Sequence, residues 1–404
     1  MLEAAPMLQS EAMAQQGRDI PQPDYSLAQL IAYFLHLGTF GFGGPIALCG
    51  YMQRDLVERR RWISAADYKE GLALAQLAPG PLAAQLAIYL GWIRGRVLGA
   101  TLVGLAFVLP SFVMVLALSA LYLRYGGLSW MRAAFYGIGA AVIAIIARSA
   151  WKLVKMTLAR DPLLWGIFLV AATVTAWTES EIVWVFVGGG VLGLVVRGLP
   201  RMASRSTAAV VAPLWLVSGL HGPATSDTLW RIGWYFAEAG AFVFGSGLAI
   251  VPFLYGGVVE RFQWLTERQF LDAVAVAMIT PGPVVITTAF IGYLVAGPLG
   301  ATVAAFGVFF PCYLFVVLPA PYFRRFAGNP AVKGFVDGVS AAATGAIAGA
   351  GVVLGRRAIF DVPTVLIALG TLGALVYLRR IPEPLVIVAA GVVGLLLNAA
   401  AVPG

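Results

Sequence analysis

Charged residues are scarce in this chain. Of its 404 residues, 11% are Asp, Glu, Lys or Arg and 60% are hydrophobic, and the mean hydropathy is +0.87. A soluble domain carries about 25% charged residues. Uncharged runs such as 97–123 are longer than the ~20 residues that a helix needs to cross a bilayer core. The composition therefore predicts an all-α polytopic membrane protein in contact with lipid, with no room for a separate soluble domain.

Cysteine and histidine are scarcer still. Cys49 and Cys312 both lie in apolar runs, so they predict neither a disulfide framework nor a metal site. The only histidines are His36 and His221, which excludes a histidine-rich metal centre. We therefore expect no cofactor and no bound metal.

Motifs for catalysis and for secretion are absent as well. The chain has no His-Glu-x-x-His, no Gly-x-Ser-x-Gly and no phosphate-binding Gly-x-x-x-x-Gly-Lys-Ser/Thr motif. This predicts neither an enzyme nor an ATP-driven pump. The polar first 26 residues lack the pattern of a cleaved signal peptide. The net charge of +8 comes largely from arginines in short loops between spans, which is typical of membrane topology and predicts no nucleic-acid partner.

The sequence repeats itself over about half its length. Pro79-Gly80-Pro81 recurs 202 residues later as Pro281-Gly282-Pro283, and Trp62 recurs as Trp264. Two related apolar halves are typical of secondary transporters, in which the halves enclose one site. The predicted units are a polar tail (1–26), a first repeat (27–196), a linker with a possible short extra span (197–228) and a second repeat (229–404).

Each repeat contains six hydrophobic segments. The first two are 27–52 and 71–93 in the first repeat, and 229–258 and 273–296 in the second. Twelve spans make the halves parallel, whereas a thirteenth within the linker makes them inverted. With these segments as single spans and the N-terminus inside, the first half has 10 Lys and Arg inside and 7 outside. In the second half the loops equivalent to those outside loops hold 7, and the remaining segments hold 3, so the bias is reversed. Opposite bias favours inverted repeats with a cytoplasmic N-terminus. A homodimer is compatible with either arrangement.

Glycine and proline interrupt the apolar segments at four paired places. Proline lacks a backbone donor and glycine loosens a helix, so unpaired backbone groups are expected there. Inside a membrane such groups are tolerated only where they face protein or a wet cavity. Pro45, Pro81 and Pro283 suit the first position of a restarting helix, and Thr280 is placed to cap one that begins at Pro281. The breaks lie at 40–45, 78–81, 244–247 and 280–283.

A restarted helix presents free N–H groups and a positive dipole end, which together attract anions. Two such pairs predict one oxyanion site at mid-membrane, with polar side chains as further donors. The alternative is that glycine and proline only shape tight spans, since both are common in membrane helices. The candidate substrate-binding residues are Gly43, Gly44, Pro45, Gln76, Pro79, Gly80, Pro81, Gln85, Gly245, Ser246, Gly247, Thr280, Pro281, Gly282, Pro283, Thr287 and Thr288.

Two ionisable residues occupy equivalent positions inside apolar segments. His36 and Glu238 each lie four residues before a matched phenylalanine. Ionisable residues within spans are functional candidates, so this pair is a candidate for proton coupling. The alternative is that they border an aqueous vestibule.

The charged stretch between the first two segments of each half supplies a second candidate. Glu58 and Arg59 match Glu260 and Arg261, close to the paired tryptophans. They are either water-facing residues at the membrane interface or a gating ion pair.

The glycine- and proline-rich stretches resemble those of one known family. Phe-Gly-Phe-Gly-Gly-Pro (40–45), Leu-Ala-Gln-Leu-Ala-Pro-Gly-Pro (74–81), Phe-Gly-Ser-Gly (244–247) and Ile-Thr-Pro-Gly-Pro-Val-Val-Ile (279–286) resemble the chromate ion transporter family in its long, two-domain form. The resemblance extends from about Leu27 to Val402. It implies inverted halves and a carrier in the bacterial inner membrane that exports chromate and confers chromate resistance. The alternatives are a transporter of sulfate or another oxyanion, and an anion channel.

Overall fold

The structure is a computed structural model of the 404-residue chain. All its regular elements are helical in the part of the chain that it describes. That part comprises residues 24–42, 44–125, 129–158, 161–178, 183–197, 224–242, 250–323, 330–359, 361–377 and 383–401. The first half contains α1 (Leu27–Phe40), α2 (Gly44–Met52), a π-helical turn (Gln53–Arg59), α3 (Ala65–Leu77), α4 (Leu82–Tyr125), α5 (Ser129–Thr157), α6 (Pro162–Thr178) and α7 (Val183–Arg197).

The second half repeats this order of elements. Even the π-helical turn recurs at the equivalent place, and a non-glycine residue with positive φ follows it in each half, Arg61 (53°) and Gln263 (51°). The elements are α8 (Ser226–Phe242), α9 (Ile250–Tyr255), a π-helical turn (Gly256–Arg261), α10 (Glu267–Ile279), a 3-10 turn (Val284–Ile286), α11 (Thr287–Val317), α12 (Pro330–Ala358), α13 (Val362–Tyr377) and α14 (Glu383–Ala401).

The first break turns the chain back on itself. Gly41, at the end of α1, lies against Leu48 of α2. Further from the break, Tyr25 stacks on Trp62 with ring centroids 5.3 Å apart. Residues before the break thus contact residues after it, both close to the break and further away. Residues 27–59 therefore form a helical hairpin whose tip is the glycine-rich break.

A second hairpin follows directly. Gly71 of α3 lies against the ring of Tyr89 in α4, so the chain reverses between them at residues 79–81. Its α3 arm starts at a capping interaction in which the Ser64 hydroxyl accepts from the Asp67 N–H at 3.0 Å. The matched arm of the second half, α10, starts at the capping box of Thr266 and Gln269 that the sequence predicts.

The long helix α4 doubles back once more. Gly95 and Arg96 leave the helical region, with φ of −141° and 50°, and Gly91 packs on the backbone of Gly99 beyond the turn. In α11 the same turn occurs at Ala296 and Gly297. Residues 82–94 are therefore the returning arm of the second hairpin, and only residues 97–125 of α4 are long enough to cross a bilayer.

These turns correct the assignment of 27–52 and 71–93 as single spans. The first arms of the two hairpins, α1 and α3, have 14 and 13 residues, which gives about 20 Å of helix, whereas a bilayer core is ~30 Å thick. An arm of this length is too short to cross the core, and the chain turns back at the end of each one. An apolar helix has the same periodicity whether it crosses or turns back, so only the breaks themselves carried this information.

The two halves exchange helices. The pair formed by α13 and α14 packs on α5 of the first half, and the pair formed by α6 and α7 packs on α12 of the second. Arg148 of α5 pairs with Glu383 of α14 at 3.4 Å. At the N-terminus of α13, burial raises the pKa of Asp361, but hydrogen bonds from Tyr136 of α5 and from Thr364 outweigh it and lower that pKa overall.

Small residues let the exchanged helices approach closely. A Cβ on Gly137 of α5 would lie 2.0 Å from the Ala390 carbonyl oxygen of α14, and one on Gly338 of α12 would lie 2.2 Å from the Gly189 carbonyl oxygen of α7. Small residues at such spacing allow membrane helices to pack backbone against backbone. Of the described helices, three have the length and composition to cross a membrane: Leu82–Tyr125 (of which 97–125 lie beyond the turn), Val284–Val317 and Gly334–Val353.

Candidate functional site

The tip of the second hairpin is held by its own glutamine. Gly80 adopts a φ of +136°, which side chains disfavour. The Gln85 amide donates its Nε2–H to the Pro79 carbonyl. Gln85 is fully buried, and its Oε1 has no hydrogen-bond partner among the described atoms. A polar atom therefore remains unsatisfied beside the tip.

The equivalent tip in the second half touches the first half directly. Gly282 has a φ of +95°, and its N–H donates to the Gly41 carbonyl oxygen at 2.9 Å. The Ser111 hydroxyl of α4 donates to the Pro281 carbonyl oxygen at 2.7 Å. The tips at 41–42 and 280–283 therefore meet beside the middle of α4.

A reciprocal arrangement surrounds Gly80. Cys312 of α11 occupies the place that Ser111 occupies in α4, and a Cβ on Gly80 would lie 2.9 Å from its Sγ. Cys312 Sγ lies 3.5 Å from the Gly240 carbonyl oxygen, as Ser111 Oγ lies 3.5 Å from the Gly38 carbonyl oxygen. Each glycine tip is thus packed against the long helix of the other half.

The threonine hydroxyls near the fourth break bond to backbone carbonyls. Thr280 donates to Val276 at 2.7 Å, and Thr287 donates to Val284 at 2.8 Å. Thr288 does the same to Val285. Thr280 ends α10 rather than capping a helix at Pro281, because Pro283 keeps an extended backbone and a 3-10 turn precedes α11. Gln76 is exposed on α3.

Helix starts follow the described proline tips. Pro81 precedes α4, and its carbonyl accepts the Gln85 N–H at 3.0 Å. The N–H groups of the first turn of any helix have no helical acceptor. In the second half the equivalent groups follow Pro283. Both sets lie in buried backbone close to the tips, which suits a polar or anionic ligand.

Part of the predicted site lies outside the described residues. This applies to Gly43, Gly245, Ser246 and Gly247. Pro45 is half-buried in the first turn of α2, directly after Gly44. The described part of the site therefore comprises the tip at 78–81, which packs on Cys312, and the tips at 41–42 and 280–283, which meet beside Ser111.

The predicted coupling and gating residues lie elsewhere. His36 is exposed on α1, where its ring lies 5.0 Å from Phe40, and Glu238 is half-buried on α8. Arg59 lies 3.8 Å from Asp55 within its own turn. Glu58, Glu260 and Arg261 also belong to the π-helical turns at the bases of the hairpins. No described contact brings any of these residues to the tips.

Sequence reasoning missed Gly41, Ser111 and Cys312. A signal was available for two of them, because Ser111 and Cys312 directly follow the paired prolines Pro110 and Pro311. In each half, the residue that follows the mid-helix proline is polar or carries sulfur, and this residue lies on the helix face that contacts a glycine tip.

Comparisons with known proteins agree with this two-part arrangement. The chromate transporter family matches the chain twice, over residues 28–194 and 230–395. A chromate transport protein of Cupriavidus metallidurans is 60% identical over 92% of this chain and 94% of its own length. A probable chromate transport protein of Synechococcus elongatus is 58% identical over 93% and 96%.

A more distant relative matches most of the chain as well. The chromate transport protein of Pseudomonas aeruginosa is 33% identical over 92% of both chains. No solved structure matches. With two copies of the family's repeat and full-length relatives of this similarity, the chain belongs to the chromate transporter family.

Proposed function

We propose that this protein is a secondary carrier that exports chromate across the bacterial inner membrane and thereby confers chromate resistance. Relatives that share its full length carry the name chromate transport protein. The observation that carries the proposal is the reciprocal packing of two glycine tips, at Gly80 and Gly282, against the partner half's Cys312 and Ser111. Paired broken helices at mid-membrane are how many carriers hold a small ion.

In this proposal the tetrahedral dianion binds to backbone donors between the tips. The candidate groups are the N–H groups that follow Pro45, Pro81, Gly247 and Pro283, together with the second Nε2–H of Gln85, whose first donates to the Pro79 carbonyl. Glycines at the tips let the backbone reach the ion, and the helix dipoles favour its charge. The hydrogen bond from the Gly282 N–H to the Gly41 carbonyl oxygen holds these two tips together. Separating these tips opens the site toward one side.

We also propose that the two halves are inverted. Thr101, near the start of the crossing part of α4, bonds to Tyr313, near the end of α11, at 2.7 Å. At its other end α4 contacts the second half through Tyr122 and Phe290, with ring centroids 5.4 Å apart. Equivalent helices that run antiparallel support inversion, which requires an additional crossing within 197–228.

The re-entrant hairpins sharpen the prediction of orientation. If 27–59 and 65–94 enter and leave on the same side, then 15 of the 17 Lys and Arg before residue 206 lie on the N-terminal side. Only Arg124 and Arg132 lie on the other. By the positive-inside rule this supports a cytoplasmic N-terminus.

The proposed topology predicts the position of two reporters. A fusion after Val402 should be periplasmic, and a tag inserted at 324–329 should be cytoplasmic. Paired alkaline phosphatase and fluorescent-protein fusions measure this, and a tag at 126–128, which should be periplasmic, is the matched control. A cytoplasmic C-terminus together with a periplasmic tag at 324–329 would contradict inversion and restore parallel halves.

Transport itself is tested in inside-out membrane vesicles. Vesicles that contain the protein should take up chromate, whereas vesicles from the same strain without it should not. Uptake should saturate and be competed by sulfate if both tetrahedral dianions fit. Steady single-channel currents from the reconstituted protein would instead indicate an anion channel, and sulfate uptake without chromate uptake would indicate a different oxyanion carrier.

A further inference from the structure

We propose that Asp272 of α10 is the proton-binding residue that couples chromate transport to the proton gradient. The proposal rests on the proposed carrier function and adds the coupling ion and its site. Among the described residues, Asp272 is the one acidic or basic residue that is buried, with 5% of its surface exposed. A buried acid inside a membrane segment is costly to keep, so it is a candidate for function.

The carboxyl group of Asp272 joins the two halves. The Tyr122 hydroxyl of α4 donates to Asp272 Oδ2 at 2.6 Å. Aromatic rings surround the Tyr122 ring, because Phe135 of α5 and Phe290 of α11 contact it edge-on with centroids 5.8 and 5.4 Å away. The hydrogen bond therefore lies in an apolar environment, where a change of charge has a large effect.

The surroundings suit a proton better than a metal cation. Sodium and other hard cations require several oxygen ligands. Tyr122 and, one turn earlier on α10, the exposed Arg268 are the groups that act on the Asp272 carboxyl. Other titratable groups on the elements that pack against α10 contact different partners. The Tyr255 hydroxyl of α9 donates to Glu267, and Glu383 of α14 pairs with Arg148. The Arg261 guanidinium of the π-helical turn lies over the ring of Phe262.

Asp272 and the tip belong to the same hairpin arm. Asp272 lies nine residues before Pro281, which is about 14 Å along a helix. On α4, Ser111 and Tyr122 are separated by about 16 Å. The arm is thus fastened to α4 at two points, Ser111 with Pro281 and Tyr122 with Asp272. A proton on Asp272 removes the negative charge that strengthens the second hydrogen bond, which frees the arm to move relative to α4.

The pair of Asp272 and Tyr122 is not repeated at the matched positions. The position equivalent to Asp272 is Glu70, and the position equivalent to Tyr122 is Phe323, which has no hydroxyl group. With the proposed orientation, Arg268 and the outer end of α10 face the periplasm. Protons that enter from there reach Asp272 as chromate leaves, which makes the carrier a proton–chromate antiporter.

The test uses Asp272→Asn, which removes the titratable group but keeps an acceptor for Tyr122. The purified protein is reconstituted in liposomes with the membrane potential clamped at zero and with both pH values in the range where chromate is fully deprotonated. One pH unit, acidic inside, should let wild type accumulate chromate about tenfold per proton exchanged. The variant should show no accumulation, yet should exchange chromate for chromate at equal pH within threefold of wild type.

Two further variants make the result decisive. Asp227→Asn, a change at an exposed residue paired with Arg231, should behave as wild type. Tyr122→Phe should retain some accumulation but shift its pH dependence. The proposal would be overturned if Asp272→Asn accumulated chromate as wild type does, or if Glu238→Gln were the variant that lost accumulation. It would also be overturned if a folded Asp272→Asn lost chromate exchange as well as accumulation. Wild-type transport that is indifferent to pH would refute the coupling and leave the carrier function intact.

Discussion

Chromate transport should fall at least about tenfold when Gly282 is replaced by alanine, since well-placed donors to a charged ligand are worth ~1.5–3 kcal/mol. At Gly282 a Cβ would lie 2.0 Å from Ser111 Oγ. The φ of +95° is also unfavourable for any residue with a side chain. The tip must shift, and its backbone donors leave the position in which they meet the anion.

Gly80 provides the same test in the other half. A Cβ there would lie 2.5 Å from Gln85 Nε2 and 2.9 Å from Cys312 Sγ. Gly80→Ala should therefore displace the glutamine amide as well as the tip. Because both of these contacts are longer than the 2.0 Å contact with Ser111 Oγ at Gly282, we expect a smaller loss than at Gly282. The measurement is saturable chromate uptake in vesicles at matched protein level.

Gly188→Ala is the control for both substitutions. It adds the same methyl group at an exposed glycine of α7 with nothing within 4 Å of the new Cβ. Its uptake should equal that of wild type. If Gly80→Ala and Gly282→Ala also transport within threefold of wild type, the tips do not form the site, and the π-helical turns with Arg59 and Arg261 become the next candidates.

The sequence predicts the paired breaks well, because proline and glycine act locally on the backbone. Gly80 and Gly282 have positive φ, as a tight proline-glycine turn requires. The predicted capping box at Thr266 is present for the same reason. Features that depend on a few neighbouring residues were therefore accessible without the structure.

Features that depend on packing between distant segments were not accessible. Nothing local distinguishes a crossing helix from a re-entrant arm, so the sequence predicts single spans at 27–52 and 71–93 where the structure has hairpins at 27–59 and 65–94. The exchange of α13 and α14 between halves depends on glycines whose partners lie far away in the sequence, such as Gly137 and Ala390, which are about 250 residues apart. Asp272 was visible only as the last residue of a charged stretch, and its burial follows from the fold.

Stability should depend most strongly on the glycines that join the exchanged helices. A Cβ on Gly193 of α7 would lie 2.2 Å from the Gly334 carbonyl oxygen of α12. Backbone cannot move aside as a side chain can, so Gly193→Leu should separate the two helices. Overpacking of a close contact costs ~1–3 kcal/mol, which should lower the midpoint of thermal unfolding in detergent by several degrees.

The same helix supplies the control, since Gly188→Leu places an identical side chain on the open face of α7. Any difference between the two variants therefore reports packing rather than helix propensity. The repeat supplies a second test, because Gly394 of α14 is equivalent to Gly193, and a Cβ there would lie 2.3 Å from the Ala133 carbonyl oxygen of α5. Gly394→Leu should destabilise the protein to a similar degree. Equal unfolding midpoints for Gly188→Leu and Gly193→Leu would show that the halves are not joined through these helices.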